Sequence, residues 1–437
     1  MLTPETTRIR TLGPRTIPSP IKLSTSYGDL MANYVPDDSR VRYELDIVPG
    51  RPPQPEVFFE KAGPRDMIYF DPAGSRAAIV TCGGLCPGLN DVIRSVYVQL
   101  RYQYGVSDLL GIRYGYAGLN PAAGPPPINL TMEMLDNVHR EGGTLLGSSR
   151  GSQPVDVMVD FLRDQRINML FTVGGDGTQK GALAIARECE RRGMDIAVVG
   201  IPKTIDNDIA YVTRTFGLAT AIDEARKVLD CAHAEAKGAP NGISIVKLMG
   251  RDSGFIAAGA TVASQQVNFA LIPEMPFALD GPNGFLRVLK RRILARQHAV
   301  IAVAEGAGQD LLGCLPEQRD ASGNVIHGDI GLFLKERIGA FFRDEGIPVS
   351  IKYFDPSYII RSVPANTADN LLCDQLGRQA VNAAMAGKTC MIVGEWHGMF
   401  THVPMELVAG RRKKVDLESN VWLSVMMATG QPARMVD

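Results

Sequence analysis

The fold and the chemistry of this chain both depend on the run Met169-Leu170-Phe171-Thr172-Val173-Gly174-Gly175-Asp176-Gly177-Thr178. Its first five residues are apolar or β-branched, which predicts a buried strand that the glycines bring to an end. Glycine lets backbone amides come close to an anion, and the N-terminus of a following helix adds a favourable field. Asp176 places a carboxylate among the glycines, and magnesium bound to phosphate chains prefers such an oxygen ligand. We therefore predict a phosphate-binding loop between a strand and a helix, with Thr178 as the helix N-cap.

Outward from this run, short apolar stretches alternate with longer helical ones from about Ser75 onward, which is typical of a parallel sheet covered by helices. The predicted strands are Ala77–Thr81, Met169–Val173, Ile196–Ile201, Ile243–Leu248, Phe269–Ile272, Ala299–Ala304, Val349–Tyr353 and Cys390–Val393. The predicted helices are Asn90–Tyr104, Val155–Arg166, Gln179–Arg192, Ala219–Ala236, Gly284–Arg296, Ile330–Glu345 and Ala368–Ala386. We expect an α/β fold of two doubly wound, mostly parallel-sheet lobes with the active site between them, plus an irregular N-terminal extension.

A second strand end also carries glycines. The run from Ala77 to Asn90 passes through Gly83 and Gly84 before a helix begins after Gly88. This arrangement again suits the approach of backbone amides to an anion, although a tight strand-to-helix turn has the same composition.

A third strand end carries acidic residues. The strand at 196–201 is followed by Pro202-Lys203-Thr204-Ile205-Asp206-Asn207-Asp208. In an extended segment Asp206 and Asp208 would face the same side, so one could accept the proton of an attacking hydroxyl while the other orients it. Lys203 would supply positive charge for a transferring phosphoryl group. The run therefore predicts phosphoryl transfer to a hydroxyl.

Composition limits the partners of the chain. Its 46 basic and 47 acidic side chains nearly cancel, so no basic excess attracts nucleic acid or a membrane surface. No apolar stretch approaches the roughly 20 residues of a membrane span, and the first residues lack the apolar region of a secretory signal. The seven scattered cysteines indicate free thiols in a reducing cytosol. We expect a cytoplasmic protein that acts on small anionic substrates.

Together the three loops resemble those of the phosphofructokinases, and the resemblance extends from about residue 75 to beyond 370. Further segments follow in the order of that family, namely Glu141–Gly151 with Arg150, Met249–Gly254 with Arg251, Glu305, Lys352, and Tyr358–Arg361. The long extension and the mixed loop signature resemble the ATP-using branch of trypanosomes and plants. The pattern of strands and helices predicts an extension at residues 1–75 and two lobes at 76–216 and 217–365. The resemblance implies that the first lobe binds the nucleotide and the second the sugar phosphate. Residues 366–437 then form a C-terminal helix and strand that return to the lobes, plus a tail.

The resemblance implies transfer of the γ-phosphoryl group of ATP to the 1-hydroxyl of fructose 6-phosphate, with Asp206 as general base. The implied catalytic residues are Asp206, Thr204, Arg251, Lys203 and Gly177. The implied cofactor-binding residues are Gly84, Arg150, Gly151, Gly175, Asp176, Gly177 and Thr178, with Mg²⁺ on Asp176. The implied substrate residues are Thr204, Ile205, Asp206, Met249, Gly250, Arg251, Glu305, Lys352, Tyr358 and Arg361. Family members are usually allosterically controlled homo-oligomers, so a dimer or tetramer is expected.

Two positions bear on the identity of the phosphoryl donor. Gly177 leaves room for a nucleotide beyond its two terminal phosphates, whereas pyrophosphate-using members carry an aspartate there. Lys203 instead matches the pyrophosphate-using form, in which classical ATP users have glycine. Because steric exclusion discriminates more strongly, we favour ATP and keep a pyrophosphate-dependent enzyme as the second hypothesis.

Position 242 is a further departure from the family pattern, beside Lys203. Gly242 stands where many bacterial members have a phosphate-binding arginine, so this contact is either missing or replaced, with Lys247 and Lys352 as the candidate replacements.

Two rival protein classes share part of the pattern. Lipid and NAD kinases have the Gly-Gly-Asp-Gly loop but lack the run around Asp206. A non-catalytic regulatory homologue would typically have lost Asp176 or Asp206, and both are present.

Overall fold

A computed structural model of the chain describes residues 2–47, 49, 56–313, 318, 319 and 325–436. These residues form two compact units. Unit 1 comprises the described residues of 1–204, 209–217 and 363–412, and unit 2 comprises those of 205–208, 218–362 and 413–437. No helix in the described ranges is long and apolar enough to cross a membrane.

The strands in the described part of the chain alternate with helices between Arg76 and Phe354, as the sequence predicts. They are β1 (Arg10–Thr11), β2 (Ile17–Pro18), β3 (Arg40–Arg42), β4 (Phe58–Lys61), β5 (Met67–Ile68), β6 (Arg76–Thr81), β7 (Asp108–Ile112), β8 (Ile128–Asn129), β9 (Met169–Gly174), β10 (Ala197–Pro202), β11 (Gly242–Leu248), β12 (Phe269–Leu271), β13 (His298–Ala304), β14 (Ser350–Phe354), β15 (Lys388–Thr389), β16 (Met391–Trp396) and β17 (Met399–Pro404). Each predicted strand is found, with ends that differ by at most a few residues.

The predicted helices are found as well. The α-helices are α1 (Leu89–Val98), α2 (Met132–Leu135), α3 (Val155–Asp164), α4 (Asp176–Arg191), α5 (Leu218–Lys237), α6 (Phe255–Ser264), α7 (Phe285–Arg296), α8 (Ile330–Asp344), α9 (Ser357–Ile360), α10 (Thr367–Met385), α11 (Met405–Val408) and α12 (Asn420–Thr429). A π-helical segment at Gln99–Tyr104 continues α1. Short 3₁₀ helices lie at Pro72–Gly74, Gly115–Leu119, Val138–Arg140 and Gln309–Leu312.

Unit 1 is built on a nine-stranded sheet with the order β3-β4-β17-β16-β10-β9-β6-β7-β8. Strands β16, β10, β9, β6 and β7 run parallel, and the strands at both edges are antiparallel. Every residue of β9 and β10 is buried, which explains their continuous apolar sequences, because central parallel strands are covered on both faces. The carboxyl ends of β6, β9 and β10 therefore reach the same edge of the sheet.

Part of the N-terminal extension is regular. Strands β3 and β4 pair with each other, and β4 pairs with β17. The expectation of an irregular extension missed these strands because they are short and because β4 pairs with residues more than 300 positions away. Such long-range pairing leaves no periodic signal in the local sequence.

Unit 2 is built on a four-stranded sheet with the order β12-β13-β11-β14, and all its pairs are parallel. Residues 413–436 complete this unit, because α12 packs on α6 and the Gln431 side chain hydrogen-bonds the backbone of Ala270 in β12. In β11 and β13, Leu248 lies opposite Ala304, so both strands end at the same level. The residues that follow them are thereby brought together.

Candidate active site

The loop after β9 leads directly into α4, since Gly175 is the N-cap and Asp176 is the first helical residue. Gly174 is required by packing, because a Cβ there would lie 2.1 Å from the Thr178 hydroxyl oxygen. At Gly177 a Cβ would meet no atom within 4 Å, so this side of the first turn is open. Gly175 offers no side chain to cap the helix, which leaves that place for an anion. The predicted N-cap Thr178 is wrong, because Thr178 lies inside the first turn and its side chain is buried against Gly174.

Two neighbours hold the carboxylate of Asp176. Its Oδ1 accepts the Gly410 N–H at 2.7 Å, and its Oδ2 lies 2.9 Å from the ammonium of Lys180, one helical turn further on. Across the described residues, no group of three or more His, Cys, Asp or Glu could hold a metal ion. A single carboxylate nevertheless suits magnesium on a nucleotide, because the ion takes its other ligands from phosphate and water. Asp176 fits a metal that arrives with a phosphate chain.

The segment that ends at Arg150 lies beside the glycine turn after β6. The Ser148 hydroxyl donates to the Gly83 carbonyl at 2.6 Å, and the Gly83 N–H donates to the Ser149 carbonyl at 3.0 Å. Gly83 has φ +86°, a conformation that glycine adopts without strain. Arg150 and Gly151, which follow directly, are exposed. The structure thus brings this segment next to the turn that contains Gly84.

Lys203 connects the ends of three parallel strands in unit 1. Its backbone N–H donates to the Gly174 carbonyl at 3.0 Å, and its ammonium donates to the Gly84 carbonyl at 2.6 Å. The side chain is buried, with 5% of the residue exposed. Thr204, which follows, has its carbonyl bound by the hydroxyl of Thr215. The predicted unit 1 residues around Lys203 therefore collect at the carboxyl edge of the sheet, where doubly wound folds bind ligands.

In unit 2, the predicted residues after β11 and β13 meet. The Arg251 N–H donates to Glu305 Oε1 at 2.8 Å. Arg251 has φ +50° and Gly250 has φ +144°, so this turn is constrained, and such strain concentrates at functional sites. Gly306 is required as well, because a Cβ there would lie 2.0 Å from the Arg251 carbonyl oxygen. Met249, Gly250, Arg251 and Glu305 thus form one group.

The carboxylates at 206 and 208 lie on a turn. Ile205 and Asp206 form the turn, and Asn207 has φ +54°. The premise that this segment is extended is therefore wrong. Two contacts shape the turn instead: the Ser253 hydroxyl lies 2.8 Å from the Asp206 carbonyl, and the Lys413 N–H donates to the Asp208 carbonyl at 2.8 Å.

The remaining predicted substrate residues lie on β14 and near α9. Lys352 is exposed on β14, the edge strand of the unit 2 sheet. The Arg361 guanidinium carbon lies 4.7 Å from the ring centre of Tyr358, which is itself 74% exposed. In the described part of unit 2, neither Lys352 nor Arg361 forms an ion pair, so both positive charges are available to an anion.

The structure separates the two candidate replacements for the arginine missing at position 242. Lys247 lies 2.8 Å from Asp329 and 2.9 Å from Asp355, and these carboxylates raise its pKa although burial acts in the opposite direction. Its charge is already neutralised, which leaves Lys352 as the candidate. Glycine is required at position 242 by packing, because a Cβ there would lie 2.1 Å from the Ala236 carbonyl oxygen.

Sequence reasoning missed four residues that touch the candidate site. Lys180 stands four residues after Asp176 on the same helix face, so helical spacing could have identified it. Ser253 lies inside a quoted motif, but nothing in the motif indicates its contact with the Asp206 carbonyl. Gly410 and Lys413 lie more than 200 residues from their partners, and only the folded chain brings them there.

Residues 76–384 match the model of the family "Phosphofructokinase". The chain is 51% identical over 387 residues to "ATP-dependent 6-phosphofructokinase" of Borreliella burgdorferi, covering 87% of this chain and 86% of that protein. It is 46% identical over 373 residues to the protein of the same name from Trypanosoma brucei brucei, covering 85% and 76%.

A solved structure shares the fold. The crystal structure of pyrophosphate-dependent phosphofructokinase from Marinobacter aquaeolei aligns with a TM-score of 0.66 and 20% identity, covering 81% of this chain and 91% of that one. The family match spans most of the chain, and the identities to the named relatives are high. The chain therefore belongs to the phosphofructokinase family.

Proposed function

We propose that the chain is an ATP-dependent 6-phosphofructokinase, which transfers the γ-phosphoryl group of ATP to the 1-hydroxyl of fructose 6-phosphate and forms fructose 1,6-bisphosphate. The observation that carries the choice of donor is the open space at Gly177, where an added Cβ meets no atom within 4 Å. A nucleotide needs this space beyond its terminal phosphates. The relatives named as ATP-dependent enzymes support the same donor.

The residues of unit 1 bind the donor in this proposal. The amides around Gly84, Gly175, Gly177 and Thr178 and the side chain of Arg150 hold the phosphates of ATP, while Gly151 lets the chain pass close to them. Asp176 holds Mg²⁺, which neutralises charge on the phosphate chain. Lys203 stabilises the charge that develops on the transferring group, and Thr204 lies next to it in the chain.

The residues of unit 2 bind and activate the sugar phosphate. Asp206 accepts the proton of the attacking 1-hydroxyl. Met249, Gly250 and Ile205 shape the sugar site, and Glu305 accepts hydrogen bonds from sugar hydroxyls while it fixes the Arg251 turn. Arg251 stabilises developing negative charge, whereas Lys352, Tyr358 and Arg361 hold the 6-phosphate.

The assembly and the location of the enzyme are part of the proposal. We expect a homo-oligomer, either a dimer or a tetramer, with allosteric control, located in the cytoplasm. Exposed Lys352 on an edge strand is consistent with a phosphate contact offered to a neighbouring subunit.

A donor comparison tests the proposal. The purified chain is incubated with fructose 6-phosphate and Mg²⁺, and with either ATP or pyrophosphate, and fructose 1,6-bisphosphate is measured by coupling to aldolase. We expect turnover with ATP and little with pyrophosphate. Turnover with pyrophosphate but not with ATP would establish a pyrophosphate-dependent enzyme, as Lys203 suggests. Binding of fructose 6-phosphate without turnover with either donor would establish a regulatory homologue.

A further inference from the structure

The basic stretch Arg411-Arg412-Lys413-Lys414 has no role in the proposed reaction, and a solvated turn is its ordinary interpretation. Lys413 does not fit that interpretation. Its N–H donates to the Asp208 carbonyl at 2.8 Å, and two residues later the Val415 N–H donates to Glu274 Oε1 at 2.8 Å. The same Glu274 oxygen accepts the Gly254 N–H at the start of α6. Residues 413–415 are therefore fixed between the acidic turn and α6.

The Lys413 side chain turns inward from this anchored backbone. Its ammonium lies 5.1 Å from the ring centre of Phe255, a distance typical of a cation–π contact. Burial lowers the pKa of Lys413 to about 8, and the negative charge of Asp208 opposes that lowering. Lys414, by contrast, is exposed. A lysine that gives up hydration in this way usually has a specific charge to meet.

The acidic turn is held from the other side by Ser253, whose hydroxyl lies 2.8 Å from the Asp206 carbonyl. Ser253 and Phe255 belong to the same short stretch, so one segment of unit 2 contacts both Asp206 and Lys413. The charged residues on the segments that meet here include Asp206 and Asp208 in the turn, Arg251 and Asp252 before α6, Glu274 after β12, and Arg412 and Lys414 on either side of Lys413. Lys413 meets the turn in two ways, through its backbone N–H and through the charge of its ammonium.

We infer that Lys413 is a positioning residue for phosphoryl transfer: its backbone N–H holds the turn 205–208 through the Asp208 carbonyl, and its ammonium, which packs on Phe255, attracts the negative charge of Asp208 and keeps the turn in place. The inference rests on the proposed function, in which Asp206 is the general base. Losing the attraction between the Lys413 ammonium and Asp208 should misplace Asp206 on the turn, which affects the chemical step more than donor binding.

Lys413→Met and Lys414→Met form a matched pair, because each removes one lysine charge from neighbouring positions. We expect Lys413→Met to lower kcat about 10-fold or more while the KM for ATP changes less than about twofold. Lys414→Met should match the wild type, and Lys413→Arg, which keeps the charge, should recover most of the activity.

Two outcomes would overturn the inference. Identical kcat values for Lys413→Met and Lys414→Met would show that Lys413 does not act on the turn. If Lys413→Met and Lys413→Gln both fail to fold by circular dichroism, the residue is structural and the positioning role is rejected. Failure of the proposed function would be seen separately, because the wild type would then not phosphorylate fructose 6-phosphate with ATP.

Discussion

Gly177 combines two properties that make it a sharp test of the donor. It lies in the first turn of α4, next to Asp176, and it is exposed with open space where a side chain would begin. A Gly177→Asp chain should therefore fold, but its carboxylate would occupy the space for the nucleotide and repel the phosphates. We expect kcat/KM for ATP to fall about 100-fold or more in steady-state assays.

Gly177→Ala is the control, since a methyl group adds no charge and meets no atom within 4 Å. It should keep most of the activity. Retained ATP activity in Gly177→Asp would refute the steric argument. Lys203, which matches the pyrophosphate-using form, would then be the remaining position that bears on the donor.

Asp206 is the predicted general base, and its replacement should affect chemistry alone. Asp206→Ser should lower kcat by about 10²–10⁴-fold while the KM for ATP changes little, because the proton acceptor is lost and the donor loops belong to unit 1. Asp280→Ser is a suitable control, since Asp280 forms an exposed ion pair with Arg337. Near wild-type turnover in Asp206→Ser would remove Asp206 from the mechanism.

Individual residues were predictable to different degrees. The strand-end positions of Gly174, Asp176 and Asp206 were predictable, because glycines and short polar residues after an apolar run indicate a turn. The conformation of the turn that carries Asp206 and Asp208 was not predicted correctly, because it depends on contacts with Ser253 and Lys413. Their contacts are tertiary, so the extended conformation was the wrong default.

Among the elements, the antiparallel edge of unit 1 contains a buried charge cluster. Glu60 on β4 lies 3.0 Å from each of Arg65, Lys388 and His402, and all four side chains are less than 10% exposed. Burial alone would raise the pKa of Glu60, but the hydrogen bonds and charges of His402 and Lys388 outweigh it and hold the pKa well below its usual range. This cluster ties the N-terminal strand β4 to β15 and β17.

Glu60→Gln should destabilise unit 1 by about 3 kcal/mol at neutral pH, because it leaves buried positive charge uncompensated. The lowered pKa sets the sign of the pH dependence: the contribution of Glu60 is fully present above its unfolded-state pKa of about 4.3 and is lost as the pH falls through its folded-state pKa. The free energies of unfolding of the wild type and of Glu60→Gln, measured with urea, should differ by a constant amount above about pH 5. The difference should become smaller at lower pH.

Glu56→Gln is the matched control near the same strand, because Glu56 pairs with Arg42 at an exposed position. It should change the stability by less than about 1 kcal/mol. Equal effects of the two substitutions would show that the Glu60 cluster contributes no more than a surface ion pair.

At the scale of the whole molecule, each unit is assembled from segments far apart in the chain. In unit 2, the C-terminal segment is integral: the Ala278 N–H donates to the Met435 carbonyl, and Gln431 hydrogen-bonds Ala270. A chain that ends at Glu418 keeps Lys413 but lacks α12. We expect hydrogen exchange to accelerate in α6 and β12 of this truncated chain, while β6 and β9 of unit 1 stay protected.

A chain that lacks only residues 436 and 437 controls for loss of the terminus, since it keeps Gln431 and Met435. It should exchange like the full chain. Unchanged protection of α6 in the larger truncation would show that α12 does not stabilise unit 2.

The α/β class, the order of the main strands and helices, and the family to which the chain belongs could all be predicted from the amino-acid sequence. Strand and helix periodicity and glycine-rich turns depend on residues close together in the chain, so local patterns reveal these features. The antiparallel edge formed by β3 and β4, the start of α4 at Asp176, and the turn that carries Asp206 became known from the folded structure. Each depends on partners far away in sequence, such as Glu60 with His402, Asp176 with Gly410 and Asp208 with Lys413. Such contacts form only when the chain is folded, so no local sequence pattern predicts them.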